Sequence, residues 1–195
     1  MLFRTRLHVP PLSGSAGPWT RSGAPAGSRR ASPETQSPKP EAKQPVLPDE
    51  LMSLALEEAA KAREVGEVPI GAVVALQDEV IGRGFNQPIS SGDPTAHAEI
   101  VAIRDAARRV GNYRLTGATL CVTVEPCLMC VGALVHARIG LLIFGAAEPR
   151  TGAVMSTVRG AELPGHNHRF DVVPGVREDE CRALMQEFFR EKRER

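Results

Sequence analysis

The chain has 195 residues, 42% of them hydrophobic and 24% charged, with a formal net charge of +1 and four cysteines. Its longest uncharged apolar runs, at residues 128–135 and 139–147, fall well short of the roughly 18–20 residues that cross a bilayer, which excludes a membrane span. Four cysteines in this length exclude a disulfide scaffold, and the spacing of Cys127 and Cys130 suits metal or redox work in a reducing compartment, favouring the cytosol.

Residues 1–46 contain eight prolines, Ser/Gly clusters and no hydrophobic periodicity. They cannot bury enough apolar surface to offset the entropy of ordering, so we expect a disordered Pro/Ser/Arg-rich extension. The first 33 residues have five arginines and no acid, a composition that admits an organellar transit peptide, although Pro10, Pro11 and Pro18 interrupt any amphipathic helix. A dispensable tail is the plainer reading. The segment holds seven basic residues against Glu34 and Glu41, or +5, leaving 17 basic against 21 acidic residues, or −4, in the rest of the chain. Any attraction of that remainder to phosphate must therefore be local.

Residues 47–195 have the usual size of one compact domain. Leu51, Leu54, Ala55, Ala59 and Ala62 recur at helical spacing between Pro48-Asp49 and Gly66, predicting a helix over 49–65. Residues 70–76 and 80–83, rich in β-branched side chains and divided by polar residues 77–79, predict a hairpin. Next come a helix near 97–109, a strand over 119–124, a helix over 128–136 and a buried-type strand over 141–144. Residues 170–173 predict a fifth strand, and 177–193 a closing helix that starts with acids and ends with bases. The implied order is α-β-β-α-β-α-β-α-β-α, helices packed on a central sheet.

His97 and, 30 residues later, Cys127 and Cys130 supply one imidazole and two thiols, a soft donor set suited to zinc. Closed structural zinc sites take four protein ligands, so three leave a position open for water and lean toward catalysis. The three-residue offset puts both sulfurs on one side of a helix's first turn, where the positive dipole end favours thiolate. His97 and Glu99 pose a difficulty. Two residues on an ideal helix differ by roughly 200°, so the pair can share a site only if His97 sits at the irregular start of the helix. Zinc with two thiolates and a neutral imidazole is formally neutral and acidifies water less strongly, which makes a nearby base useful; Glu99 is the candidate.

His97-x-Glu99 followed by Pro126-Cys127-x-x-Cys130 is the known signature of the zinc nucleobase deaminases. Further strings narrow the resemblance: residues 67–74 (EVPIGAVV), Gly84-Phe85-Asn86, residues 93–100 (DPTAHAEI), residues 112–115 (NYRL), residues 125–130 (EPCLMC), residues 165–169 (GHNHR) and residues 187–190 (EFFR). Over nearly all of residues 49–193 the chain resembles the bacterial tRNA-specific adenosine deaminase family. The resemblance implies a three-layer α-β-α, cytidine-deaminase-like domain with a central mixed five-stranded sheet. It implies one Zn²⁺ per subunit on His97, Cys127 and Cys130, with Glu99 as proton shuttle for zinc-activated water. It makes Asn86 a hydrogen-bond partner of the flipped-out nucleoside and places Ala98 where main-chain groups meet the base.

The same resemblance implies a cytoplasmic homodimer that converts the wobble adenosine of an arginine tRNA anticodon to inosine. Phe189, Arg190 and Arg193 fall on the closing helix, where relatives contact RNA. A second RNA-touching loop departs from the family pattern: Ala147 and Glu148 stand where a basic residue and an aspartate are usual, with Arg150 nearby to compensate. A free-base or nucleoside deaminase of guanine or cytosine type shares the metal motifs, and a nonenzymatic zinc-stabilised RNA-binding module is the reading from another class. Cys121 and Cys181 are expected as buried free thiols. His136 is expected as a structural histidine, and so is His168, beside the dimer or the rim of the site. One of Phe188 and Phe189 is expected in the core and the other exposed for stacking.

Overall fold

The structure is a computed structural model and describes residues 47–194. The N-terminal extension, with the disorder and transit-peptide readings attached to it, lies outside the described residues.

Helix α1 spans Pro48–Glu64, and the side chain of Glu50 accepts the backbone N–H of Leu47 at 3.3 Å to close its first turn. Its apolar stripe, Leu51, Met52, Ala55, Ala59 and Ala62, is fully buried. Strands β1 (Gly71–Leu76) and β2 (Glu79–Phe85) form the expected hairpin. Gln77 and Asp78, at φ 49° and 64°, make its two-residue turn of the primed type that matches strand twist. A four-residue helix α2 (Pro88–Ser91) precedes α3 (Ala98–Val110). Then follow β3 (Thr119–Val124), α4 (Leu128–Ala137) and β4 (Leu141–Ala146). The chain closes with β5 (Asp171–Pro174) and α5 (Glu178–Arg193).

The sheet order is β2-β1-β3-β4-β5, with β1 antiparallel to both its neighbours and the β3, β4 and β5 pairings parallel. This is the mixed five-stranded sheet implied by the resemblance. Both faces are covered, so the alternation along β3 separates two cores rather than core from solvent. Leu120 and Val122 point to the cluster under α3 and α4, with Ala72, Val74, Leu142 and Phe144. Cys121 points the other way, to the cluster under α1 and α5 with Val73, Ile143, Met52 and Cys181. Cys121 and Cys181 are free and buried, as expected.

Two elements differ from the sequence reading, which does not predict the short helix α2 and does predict a later helix. The helix implied between the fourth and fifth strands is a single 3₁₀ turn, Gly160–Glu162, within a long loop. The segment is held by side chains instead: Arg138 donates to Asn167, His168 Nε2 lies 2.6 Å from the Ile139 carbonyl, and Arg169 donates to the Ala161 carbonyl. His168 is thus a structural histidine, and His136 is exposed on α4. No helix among the described residues is long and apolar enough to cross a membrane.

Close packing at one seam sets up the site. A Cβ on Gly82 would sit 2.4 Å from the Ala102 carbonyl oxygen, and one on Gly84 would sit 2.5 Å from that of Ala98. The backbone of α3 therefore lies directly on β2, which fixes the start of α3 against the sheet.

Candidate active site

His97 is the N-cap of α3 and Cys127 the N-cap of α4, both in extended conformation, His97 at φ −70°, ψ 153° and Cys127 at φ −74°, ψ 172°. This resolves the helical-wheel difficulty. Because His97 precedes the helix proper, it is not bound by the rotation per residue that would turn it away from Glu99. The preceding turn is fixed by Asp93, whose carboxylate accepts the N–H of Thr95 at 2.8 Å and its hydroxyl at 2.6 Å. These bonds, with the Arg104 guanidinium, hold the Asp93 carboxyl below its ordinary range.

The strands before the two helices, β2 and β3, lie on either side of β1, and α3 packs across β2 and β1 so that the two helix starts converge. His97 Nδ1 lies 3.6 Å from each of the two sulfurs, which are 3.7 Å apart. A tetrahedral zinc with Zn–S of about 2.3 Å and Zn–N of about 2.0 Å separates its donors by about 3.8 Å (S to S) and about 3.6 Å (S to N). The three donors thus mark one face of such a tetrahedron, and the residues fit the metal. The two sulfurs lie in hydrogen-bond contact with each other. The contact with Cys130, followed by that with His97, holds Cys127 down to about 4, while the same contact and burial push Cys130 up. Binding of a divalent cation would release the thiol protons. His97 is raised, foremost by its contact with Cys127.

Glu99 stands at the second position of α3 and is 4% exposed. Burial raises its carboxyl, against the lowering effect of its own backbone amide and of His97. Burial thus favours its protonated form, so the group can take up a proton and pass it on. Asn86 follows β2 directly and is 6% exposed; its N–H donates to the Ile70 carbonyl at 2.9 Å. The next amide, of Gln87, donates to the Ala96 carbonyl at 3.0 Å, laying Asn86 beside the segment that carries His97. Ala98 is fully buried, main chain included, between His97 and Glu99.

An open groove of about 1340 Å³ runs past the carboxyl ends of β3 and β4, where Val124 and Ala146 line it. One wall is the loop Glu148, Pro149, Arg150 and Thr151, and the other is a face of α5 carrying Phe189, Arg190 and Arg193. The side chain of Glu148 turns back onto its own loop, accepting the Arg150 N–H at 2.9 Å. Phe188 is 5% exposed and belongs to the core, whereas Phe189 is 43% exposed, the two rings meeting edge to face. Lys192 does not join the groove; its ammonium sits 5.3 Å from the centre of the Phe188 ring, on another face of α5.

The sequence profile described as the cytidine and deoxycytidylate deaminase zinc-binding region matches residues 47–146. The chain is 45% identical over 147 residues to the tRNA-specific adenosine deaminase of Haemophilus influenzae, covering 75% of this chain and 85% of that protein. It is 49% identical over 142 residues to that of Agrobacterium fabrum, covering 73% and 93%. The chain belongs to the tRNA-specific adenosine deaminase family. A structure solved in studies of A-to-I editing by tRNA:A34 deaminases at the wobble position of transfer RNA aligns with it at TM-score 0.67 and 48% identity. That alignment covers 69% of this chain and 97% of that one.

In this deaminase one residue of consequence escaped functional reading of the sequence. Glu125 is 4% exposed, just ahead of Pro126-Cys127. Burial alone would raise its carboxyl, but the Ser156 hydroxyl and the amides of Met155, Ser156 and Glu148 outweigh it and hold it below the usual range. Its partners lie 23 to 31 residues away, in a loop with no periodicity to betray it.

Proposed function

We propose that this chain is a cytoplasmic, homodimeric, zinc-dependent deaminase that converts adenosine to inosine at the wobble position of a tRNA anticodon, an arginine tRNA by family resemblance. The observation that carries the reading is the tetrahedral spacing of His97 Nδ1 and the Cys127 and Cys130 sulfurs beside the buried carboxyl of Glu99. Three protein donors leave a fourth position for chemistry. The relatives that match nearly full length carry that activity in their names.

Zinc held by His97, Cys127 and Cys130 supplies a Lewis-acidic position that lowers the pKa of water. The overall reaction adds water to carbon 6 of adenine and releases ammonia. Glu99 accepts one proton of the water and delivers it to the ring nitrogen beside carbon 6; it then takes the second proton from the oxygen added at carbon 6 and passes it to the departing amine, which leaves as ammonia. Asn86 orients the nucleoside, with the main chain at Ala98 against the base. Phe189 offers a stacking face to a neighbouring base, and Arg150, Arg190 and Arg193 meet the flanking phosphates.

The homodimer is supported by exposed apolar side chains along one flank: Leu128 and Met129 on α4, and Met155, Val158 and Leu163 on the segment packed beside it. Inosine mapping of total tRNA after incubation with the zinc-loaded protein tests the function. Conversion at one wobble position with stoichiometric ammonia is the expected result. Ammonia from free guanine or cytosine with unmodified tRNA, or no ammonia from any substrate, would replace it with one of the other two readings.

A further inference from the structure

Among the described residues no cationic side chain pairs with Glu125. Instead its carboxylate takes five donors from one loop. Oε1 accepts the backbone N–H groups of Val154 at 3.0 Å, Met155 at 2.8 Å and Ser156 at 3.0 Å. Oε2 accepts the N–H of Glu148 at 3.1 Å and the hydroxyl of Ser156. Three successive amides converging on one oxygen form an anion-binding concavity, and here the anion is supplied by the protein itself. A second observation agrees. A Cβ on Gly152 would lie 2.4 Å from Glu125 Oε2, so the loop is folded around the carboxylate so closely that only glycine fits.

The loop is also stitched to the metal-binding segment. Ala153 N–H donates to the Pro126 carbonyl at 2.8 Å, and Cys127 forms an isolated bridge with Gly152. Its first residues, Glu148 to Thr151, are the groove wall that carries Arg150. Only Ala153 and Val154 of the loop reach the hydrophobic core, too little apolar surface to define its path.

We propose that Glu125 is a positioning residue for substrate: it acts through the loop 148–156, holding the groove wall in register with the end of β3 that carries Cys127. Glu125 is not one of the three donor side chains; its effect reaches substrate through Arg150 and Thr151. The inference rests on the groove being the RNA site.

The test uses the full-length zinc-loaded protein and an anticodon stem-loop RNA with adenosine at the first anticodon position. E125Q keeps the shape but turns one acceptor oxygen into a donor, orphaning the three amides or the Glu148 and Ser156 pair. S156A removes the hydroxyl alone and is the milder probe. Zinc content, melting temperature, kcat and KM are measured for each. E125Q is expected to keep one zinc per chain and to raise KM about tenfold or more, with kcat changed far less, because bonds to a charged acceptor are worth about a factor of ten each. S156A is expected to shift KM the same way by a smaller factor. Unchanged KM in a zinc-loaded E125Q, or a loss confined to kcat, overturns the proposal. If E125Q fails to fold or loses zinc, S156A decides: a raised KM at full zinc upholds it, and an unchanged KM overturns it. A wild-type protein inactive on this RNA would instead defeat the functional reading beneath it.

Discussion

Glu99 owes its usefulness to where α3 begins. Shifting the start of the helix forward by one residue would make His97 helical and swing it away from the carboxyl; the Asp93 turn prevents that. The residue types of the site were legible in the sequence, but this geometry was not, because spacing counts residues and does not say which of them is a cap. Glu99→Gln should therefore leave metal binding intact, with zinc near one per chain, while turnover falls by about 10²- to 10⁴-fold, the usual worth of a positioned acid–base group. Metal analysis and single-turnover deamination check it; substantial residual turnover would deny Glu99 its role. Cys127→Ser should behave oppositely, losing zinc and lowering the melting temperature, since metal affinity and folding are linked. A chelator should lower the wild-type melting temperature and leave that of the Cys127→Ser variant unmoved.

At the scale of elements, the sequence specified what local pattern can specify. The amphipathic stripe of α1, the alternation in β3 and the polar break at residues 77–79 all returned as structure. The long loop after β4 did not, because its order comes from long-range hydrogen bonds, to the side chains of Glu125 and Arg138 and from its own His168 to the Ile139 carbonyl, which leave no periodic trace. Gly82 and Gly84 are intermediate: visible as glycines in a strand, but meaningful only once α3 is seen lying on them. Alanine at either should cost about 1–3 kcal/mol or more, since the obstructing atoms are backbone and cannot move aside cheaply. The two should differ in one readout. Gly84→Ala presses on Ala98, next to His97, as well as on Ala102, and should weaken zinc retention on dialysis, whereas Gly82→Ala presses only further along, at Ala102 and Ala106, and should not. Equal zinc loss in both would show that α3 moves as a rigid whole.

For the whole molecule the problem is charge: residues 47–195 carry −4, yet the proposed substrate is a polyanion. The fold solves it by gathering arginines on the two groove walls. Arg190 and Arg193 share a face of α5 with Phe189, and Arg150 faces them from the loop, while Lys192, adjacent in sequence, is turned away onto Phe188. Linear spacing does not separate Lys192 from its neighbours; helical rotation does. If Arg150, Arg190 and Arg193 each neutralise one phosphate in single-stranded RNA, each contributes about 0.7 to the slope of log affinity against log salt, or about 2 for the three together. Replacing Arg150, Arg190 and Arg193 by alanine should therefore weaken tRNA binding and flatten that slope, with zinc content unchanged. Lys192→Ala should leave the slope as it is. The aromatic pair provides the uncharged counterpart. Phe189→Ala should cost about 1–3 kcal/mol of affinity with little change of slope, as expected for loss of a stacking face. Phe188→Ala should instead lower the melting temperature, since a buried phenylalanine contributes about 3–5 kcal/mol to stability. Filter binding at several salt concentrations separates these outcomes. An unchanged slope in the triple variant would mean that the phosphates are held on another surface, and the groove would lose its claim to the RNA.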